Sequence, residues 1–200
     1  MNKNLIKLLS NQKVFPIIRS CDVNTVEKQI SALLDAGVNT FEVNVENIEM
    51  YKVIKDVSSQ ANVCAGGIIT AMQAQAAIMS GAKIISSPIF HMNLVKLSKD
   101  TKVPYIAGTS TANEAYEAWK ARVQLVKIYP IEAMGGAKYL ANLLRPMNFL
   151  NVMAQGDVKL VDVKNYIDAG AVAVGVGRDL FDGYSSSEIT DRLKETLAGL

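Results

Sequence analysis

The sequence predicts an α/β fold, a (β/α)8 barrel of the TIM type with a short extra helix at its N-terminus. Eight short apolar runs recur about every 22 residues along the 200-residue chain. The segments between these runs carry helix-start and helix-stop signals. Eight such units fit the small end of the size range of a closed barrel, whereas a doubly wound sheet usually has about five or six strands.

The strands are assigned from the apolar runs. Most of the runs are continuously apolar rather than alternating, as expected of parallel strands that are covered on both faces. We place the strands at Val14–Ile18, Thr40–Val45, Asn62–Ala65, Ile84–Ser87, Val103–Ala107, Leu125–Tyr129, Leu150–Ala154 and Ala171–Gly175.

The helices are assigned from periodicity and capping signals. Leu5, Ile6, Leu8 and Leu9 lie on one side of a helical turn and predict the extra helix before the first strand. Four segments match a capping box. In this motif the first side chain accepts a hydrogen bond from the third helical N–H, and the last side chain accepts one from the N–H of the first residue. These boxes are Asn24–Glu27, Thr70–Gln73, Thr111–Glu114 and Ser185–Glu188. Glycines predict helix ends at Gly37, Gly81 and Gly170.

The composition excludes several classes of protein. Half of the residues are hydrophobic and 20% are charged, which is typical of a globular domain, and we expect one domain over residues 1–200. The formal net charge of +2 gives no basic field that would favour nucleic acid as a partner. No run of about 18 apolar residues predicts a membrane span, and the N-terminal segment is too interrupted for a signal peptide. We therefore expect a cytoplasmic protein.

Metal and histidine chemistry are poorly supported. Cys21 and Cys64 lack a CxxC spacing, and His91 is the single histidine, so the usual His and Cys metal clusters cannot be assembled. The unpaired cysteines agree with a cytoplasmic location. A Ser-His-Asp or Cys-His nucleophile would need His91 as its base, and no neighbouring residue indicates that role. We expect no metal and no catalytic histidine.

Three charged residues stand in or at the end of apolar strands: Arg19, Glu42 and Lys127. Burying any of them is costly unless the charge is paired or used in chemistry. A structural ion-pair network inside the barrel would explain all three. For Arg19 this interpretation and a functional one are equally supported, because arginines at strand ends often clamp loops or carboxylates.

Lys127 and Glu42 favour carbonyl chemistry. Apolar neighbours on both sides of Lys127 disfavour its ammonium form, and a neutral amine can attack a ketone to form a Schiff base. Glu42 is the acid best placed on a strand to exchange protons with the bound substrate. A lysine and a glutamate at strand positions of one barrel therefore predict metal-free carbonyl chemistry.

The chain resembles the KDPG/KHG aldolases, the 2-keto-3-deoxy-6-phosphogluconate and 4-hydroxy-2-oxoglutarate aldolase family, over nearly its whole length. The segments that carry the resemblance are Val14–Arg19, Phe41–Val43, Ala65–Gly66, Gln73–Ala74, Gly81–Ala82, Ser87–Pro88, Ala107–Gly108 with Thr111, Val126–Glu132, Gly135–Gly136 and Gly175–Gly177. Found together, the lysine segment and the strand-two glutamate are specific to this family.

The resemblance implies a class I aldolase that reversibly cleaves a 2-keto-4-hydroxy acid to pyruvate and an aldehyde, without a cofactor. Lys127 would form the Schiff base and Glu42 would be the general acid and base. Arg19 would lie near the substrate carboxylate. The resemblance places substrate binding at Arg19, Gly66, Gly67, Pro88, Thr111, Gly156, Gly177 and Arg178. It also implies a homotrimer whose only other partners are small molecules.

The sequence departs from the family pattern at the substrate ends. Glu46 stands where an Arg or Thr is common, and Cys64–Gly67 replaces Gly-Ala-Gly-Thr, so two expected carboxylate partners are absent. After the seventh strand, Gln155–Val158 replaces the phosphate-binding Thr-Gly-Gly-Ile, and an aspartate there repels an anion. Arg178 could bind an anion in two-point fashion, or it could pair with Asp157 and leave a weak anion site or none.

Two other functions remain open. A barrel that has lost catalysis could bind or assemble around a small metabolite, but retention of Lys127 and Glu42 argues against it, because an unused buried lysine is replaceable at little cost. A phosphosugar isomerase or epimerase is compatible with the fold alone. The sequence lacks the good Gly-rich anion loop, and the histidine or metal, that such enzymes often use.

Overall fold

The structure is a computed structural model that describes residues 4–200, and it is a closed barrel of eight parallel strands. The strands are β1 (Val14–Ile18), β2 (Thr40–Asn44), β3 (Asn62–Gly66), β4 (Ile84–Ser87), β5 (Tyr105–Thr109), β6 (Leu125–Ile128), β7 (Val152–Gln155) and β8 (Ala173–Val176). Strands that follow one another in the chain are neighbours in the sheet, and β8 pairs with β1 to close it. The predicted (β/α)8 fold is confirmed.

One helix precedes the barrel and the others lie in the connections and at the C-terminus. They are α1 (Asn4–Gln12), α2 (Val23–Asp35), α3 (Glu49–Val57), α4 (Ala71–Met79), α5 (Met92–Thr101), α6 (Ala112–Lys120), α7 (Ile131–Met134), α8 (Gly136–Leu144), α9 (Val163–Asp168), α10 (Arg178–Phe181) and α11 (Ser186–Ala198), with a 3-10 turn at Leu160–Asp162. Within residues 4–200, none of these helices is long and apolar enough to cross a membrane.

The buried apolar side chains form two separate clusters, as the alternation of side chains along each strand requires. The larger cluster fills the layer between strands and helices. The smaller one lies inside the barrel and includes Phe15, Cys64 and Met153. Leu5 and Leu9 of α1 belong to the inner cluster, so the predicted N-terminal helix exists and packs against the barrel interior.

Three of the four predicted capping boxes are present. Thr70, Thr111 and Ser185 cap α4, α6 and α11, and each also donates its own backbone N–H to the side chain of the third helical residue. The box predicted at Asn24–Glu27 is wrong. Asp22 caps α2 instead, because its carboxylate accepts from the Thr25 N–H and the helix begins at Val23, one residue before Asn24.

Strands β5, β7 and β8 begin two residues later than predicted. Pro104 has no N–H to donate, and β5 starts after it. Leu150 and Ala171 are apolar, but their N–H groups bond back to Met147 and Tyr166, so they end the preceding turns rather than starting strands. The shift of β7 places Gln155 inside the strand instead of after it.

Candidate active site

Lys127 lies inside the barrel on β6, where its side chain is almost completely buried. Its exposed fraction is 2%. The Nζ atom donates to Ser86 Oγ of β4 at 2.8 Å, across the barrel interior. The register pairs Lys127 with Gly108 on one side and Met153 on the other. A buried amine with one hydroxyl partner is thus held in place, in surroundings where water does not compete for it.

Glu42 lies opposite on β2 and is equally buried, with an exposed fraction of 1%. Its Oε2 atom is 3.9 Å from Lys127 Nζ, an ion-pair contact too long for a hydrogen bond. The carboxylate packs directly over Gly66 of β3. A Cβ atom at Gly66 would lie 2.2 Å from Glu42 Oε1, so only glycine leaves room for this carboxylate.

Cys64 is the third buried polarisable group beside this pair. It is the register partner of Glu42, and its Sγ lies 4.0 Å from Glu42 Oε2. Burial raises the pKa of the Cys64 thiol well above its ordinary value, and the neighbouring Glu42 carboxylate raises it further. Cys64 is therefore a neutral thiol at physiological pH and packs as a small apolar side chain.

A cavity of about 490 Å³ opens beyond the carboxyl ends of β1, β6, β7 and β8. We call it the mouth pocket. Its lining residues are Ile17, Arg19, Tyr129, Pro130, Gln155, Gly156, Asp157, Val158, Lys159, Gly175, Gly177, Arg178, Asp179, Asp182 and Tyr184. Active sites of (β/α)8 barrels are built at this end of the strands. Four of the sequence-predicted binding residues, Arg19, Gly156, Gly177 and Arg178, lie here.

The pocket wall after β7 depends on a glycine with left-handed backbone. Gly156 has φ of +116°, and a Cβ there would lie 2.7 Å from the Pro130 Cα. The next residue, Asp157, also has a positive φ of +57° and forms an ion pair with Arg178. Of the two interpretations of this pair of residues, the structure shows the one in which they satisfy each other. The Asp157 carboxylate raises the pKa of the Arg178 guanidinium, which stays charged.

The other predicted binding residues are placed differently. Gly67 directly follows Gly66, with φ of +71°. The Pro88 backbone packs against Gly108, where a Cβ would come within 2.2 Å of it. Thr111 is exposed, and its hydroxyl accepts from the Glu114 N–H as the cap of α6. The Thr111 side chain thus has a helix-capping role, and its part in substrate binding stays a prediction.

His91 also has a structural role. Its Nδ1 accepts from the Asn93 N–H at the start of α5, so the ring caps that helix. Among residues 4–200, no three His, Cys, Asp or Glu side chains are grouped to hold a metal ion.

Sequence reasoning missed three residues of this region: Ser86, Tyr129 and Gln155. Ser86 was hidden because it stands among apolar residues in a short strand and resembles an ordinary small core residue. The alternation of side chains along a strand could have identified it, because Ser86 is two residues beyond Ile84, whose side chain lies inside the barrel. Tyr129 and Gln155 likewise stand two residues beyond Lys127 and Met153 in the sequence, and both line the mouth pocket.

Comparisons with known proteins agree with this geometry. The family model "Aldolase: KDPG and KHG aldolase" matches residues 5–193. A 2-dehydro-3-deoxy-phosphogluconate aldolase from Treponema pallidum (strain Nichols) is 26% identical over 166 residues, 82% of this chain and 79% of the relative. A 2-dehydro-3-deoxy-6-phosphogalactonate aldolase from Escherichia coli (strain K12) is 26% identical over 179 residues, 87% of each chain.

Solved structures show the same fold at lower identity. A 2-keto-3-deoxy-6-phosphogluconate aldolase from Zymomonas mobilis ZM4, with 3-phosphoglycerate, has a TM-score of 0.88 at 20% identity and covers 99% of this chain and 96% of its own. A KDPG aldolase from Legionella pneumophila, with pyruvate captured as a covalent carbinolamine, has a TM-score of 0.88 at 18% identity, covering 98% and 99%. The match of the family model to nearly the whole chain shows that this protein belongs to the KDPG and KHG aldolase family.

Proposed function

We propose that the chain is a class I aldolase that reversibly cleaves 2-keto-4-hydroxy acids to pyruvate and an aldehyde. The observation that carries this proposal is the buried pair of Lys127 and Glu42, 3.9 Å apart inside the barrel. A Schiff-base reaction needs an amine kept from water and an acid–base group beside it. The named activities of the relatives support the same reaction class.

The reaction divides between the two side chains. The unprotonated Lys127 amine attacks the C2 carbonyl of the substrate to give a carbinolamine, and loss of water leaves a protonated imine. Glu42 accepts the proton of the C4 hydroxyl as the C3–C4 bond breaks, and the bonding electron pair moves into the imine to form an enamine. Glu42 then returns a proton to C3, and water releases pyruvate from Lys127.

The substrate carboxylate requires donors near Lys127. The backbone N–H groups of Gly66 and Gly67 are candidates, since Gly66 ends β3, the strand next to the one that carries Glu42, and Gly67 follows it. Arg19 lines the mouth pocket beside Gly177, and we assign it to substrate binding. Pro88, beyond β4, completes the proposed wall.

A barrel that has lost catalysis is not favoured. Burying a lysine and a glutamate carries a desolvation penalty, and apolar residues of similar size would fill the same space at equal or lower free energy. Among residues 4–200, Lys127 has Ser86 and Glu42 as polar partners, which is an arrangement for a reactive amine rather than for packing alone.

Trapping the Schiff base tests the proposal. Incubation with pyruvate and borohydride should add one reduced pyruvate adduct, and peptide mapping should place it on Lys127. The Lys127→Met variant, which keeps the apolar stem, is the matched control and should gain no adduct. An unmodified wild-type mass, or an adduct on another lysine, would overturn the assignment.

We also propose that the chain forms a homotrimer in the cytoplasm. Met72 and Met79 of α4 are 82% and 79% exposed, and Trp119 of α6 is partly exposed. Exposed apolar side chains of this kind support contacts between subunits. Two free cysteines agree with a reducing compartment. Light scattering that gave a monomer mass would reject the trimer.

A further inference from the structure

The mouth pocket holds a buried polar atom that no described residue satisfies. Gln155, at the end of β7, is 7% exposed and lines this pocket. Its Oε1 atom is buried and has no hydrogen-bond partner among residues 4–200. Buried carbonyl oxygens of this kind nearly always have a donor in the complete assembly. The donor to Gln155 Oε1 is therefore a water molecule or a ligand group in the pocket, and a ligand hydroxyl can take the place of such a water.

We infer that the mouth pocket binds an uncharged, hydroxyl-bearing tail of the substrate, with Gln155 Oε1 accepting a hydrogen bond from it. This inference rests on the proposed aldolase function and names the substrate class, 2-keto-4-hydroxy acids without a terminal phosphate. Gln155 is then a specificity-determining residue.

The position of Gln155 relative to Lys127 fits this role. Met153 is the register partner of Lys127, and Gln155 stands two residues further along the same face of β7. Two residues of a strand span about 6.6 Å. The part of the substrate beyond C4 extends over a comparable length from the carbon attached to Lys127. We therefore place a tail hydroxyl in the layer of Gln155 when C2 is bound to the lysine.

The Gln155 side chain is held in this position by packing. A Cβ atom at Gly175 of β8 would lie 3.1 Å from Gln155 Cγ and 2.8 Å from a terminal carbon of Ile17. The glycine therefore makes the space that the Gln155 stem occupies. Packing of the stem limits where the Gln155 amide can lie, as a positioned binding group requires.

The charges of the pocket do not suit a phosphate. Its lining contains three cationic and three anionic side chains, which sum to zero at neutral pH: Arg19, Lys159, Arg178, Asp157, Asp179 and Asp182. Arg178, which could bind a phosphate in two-point fashion, is paired with Asp157. Asp179 accepts from the Leu160 N–H and is paired with Arg192. A phosphate dianion would face carboxylates as often as cations, whereas a hydroxyl can donate to Gln155 or to a carboxylate and accept from a guanidinium.

A substrate pair tests the inference. We expect kcat/KM for 2-keto-3-deoxygluconate to exceed that for its 6-phosphate by about tenfold or more, since each unmatched polar group in a pocket costs about that factor. Gln155→Met keeps the side-chain length but removes the acceptor, and it should lower kcat/KM for the unphosphorylated acid by about tenfold, mainly through KM.

Asp157→Gly should shift preference toward the phosphorylated acid, and the left-handed backbone at this residue suits glycine.

Controls separate this inference from the proposed reaction. Val161→Ala changes an exposed residue of the segment after β7, outside the mouth pocket, and should leave both substrates unaffected. Pyruvate has no tail, so its borohydride-trapped adduct reports the fold and the lysine chemistry of every variant. Absence of the adduct in the wild type would reject the proposed function. Adduct formation with a preference for the phosphorylated acid, or with no effect of Gln155→Met on the preference, would overturn the inference.

Discussion

Lys127 Nζ and Glu42 Oε2 face each other across the barrel interior at 3.9 Å, close enough for charge attraction and too far for direct proton transfer. A 3.9 Å separation allows one oxygen atom to be at normal hydrogen-bond distance from both atoms at once. The oxygen of a carbinolamine or the C4 hydroxyl of the substrate can therefore relay a proton between them. The separation is what a shared substrate oxygen requires.

Replacing Glu42 with Gln removes the acid–base group and preserves the shape. We expect Glu42→Gln to lower turnover by about a hundredfold or more, the usual contribution of a positioned general acid–base. Steady-state cleavage of a 2-keto-4-hydroxy acid measures this. Circular dichroism provides the check that the fold is unchanged. Full activity in the variant would show that another group moves the proton.

Ser86 is expected to act on the lysine by positioning it. Ser86→Ala removes the 2.8 Å bond from Lys127 Nζ, and loss of a bond of this type slows adduct formation by about tenfold. The rate of the borohydride-trapped pyruvate adduct is the measurement. Ser87→Ala is the matched control, because Ser87 is also buried on β4 but accepts from the Ile89 N–H. Equal losses in the two variants would mean that β4 packing, not the contact with Lys127, sets the rate.

The fold could be predicted because period and capping signals repeat. Most strand residues are buried and apolar, and three capping boxes place helices within a residue of their observed starts. The errors arose where apolar residues end a turn instead of starting a strand, as at Leu150 and Ala171. Hydrophobicity alone does not distinguish these two uses of a buried residue.

The site could be predicted less completely. Lys127 and Glu42 were conspicuous because charges are rare in buried strands. Ser86 and Gln155 do not stand out from the sequence in this way, since small or neutral polar residues at strand ends are common. Their roles depend on which face of the strand they occupy and on what lies across the barrel. That information comes from register and strand ends, which the sequence predicts only to within about two residues.

Gly66 is expected to be required for the position of Glu42. A methyl group at this residue would lie 2.2 Å from Glu42 Oε1 and 2.4 Å from its carboxyl carbon, so Gly66→Ala must move the carboxylate. A misplacement of about 1 Å lowers turnover by about a hundredfold. Gly37→Ala is the control: its φ is +79° and no atom lies within 4 Å of an added Cβ. It should cost about 1 kcal/mol of stability and leave turnover unchanged. Wild-type turnover in Gly66→Ala would show that Glu42 is not fixed by this contact.

The capping box of α6 makes stability depend on pH. The Glu114 carboxylate accepts from the backbone N–H groups of Ser110 and Thr111, at 2.7 and 2.9 Å, and these bonds lower its pKa. Ser110 also contacts the site segment, because its hydroxyl donates to the Tyr129 carbonyl at 2.8 Å. A carboxyl group whose pKa is lower in the folded state stabilises the fold above its unfolded pKa, about 4.3 for Glu. This stabilisation is lost as the pH falls through the lowered folded value.

Glu114→Gln should therefore be less stable than the wild type at pH 7, by about 0.5 kcal/mol, the low end for a cap because solvent screens this carboxylate. The difference should shrink as the pH falls below about 4 and the wild-type carboxyl becomes protonated. Urea denaturation at neutral and acidic pH measures both values. Glu117→Gln, which alters an exposed carboxylate on the same helix that pairs with Lys120, is the matched control and should show a smaller change. A deficit in Glu114→Gln that stayed constant down to pH 3 would mean that shape, not charge, accounts for the effect of this residue.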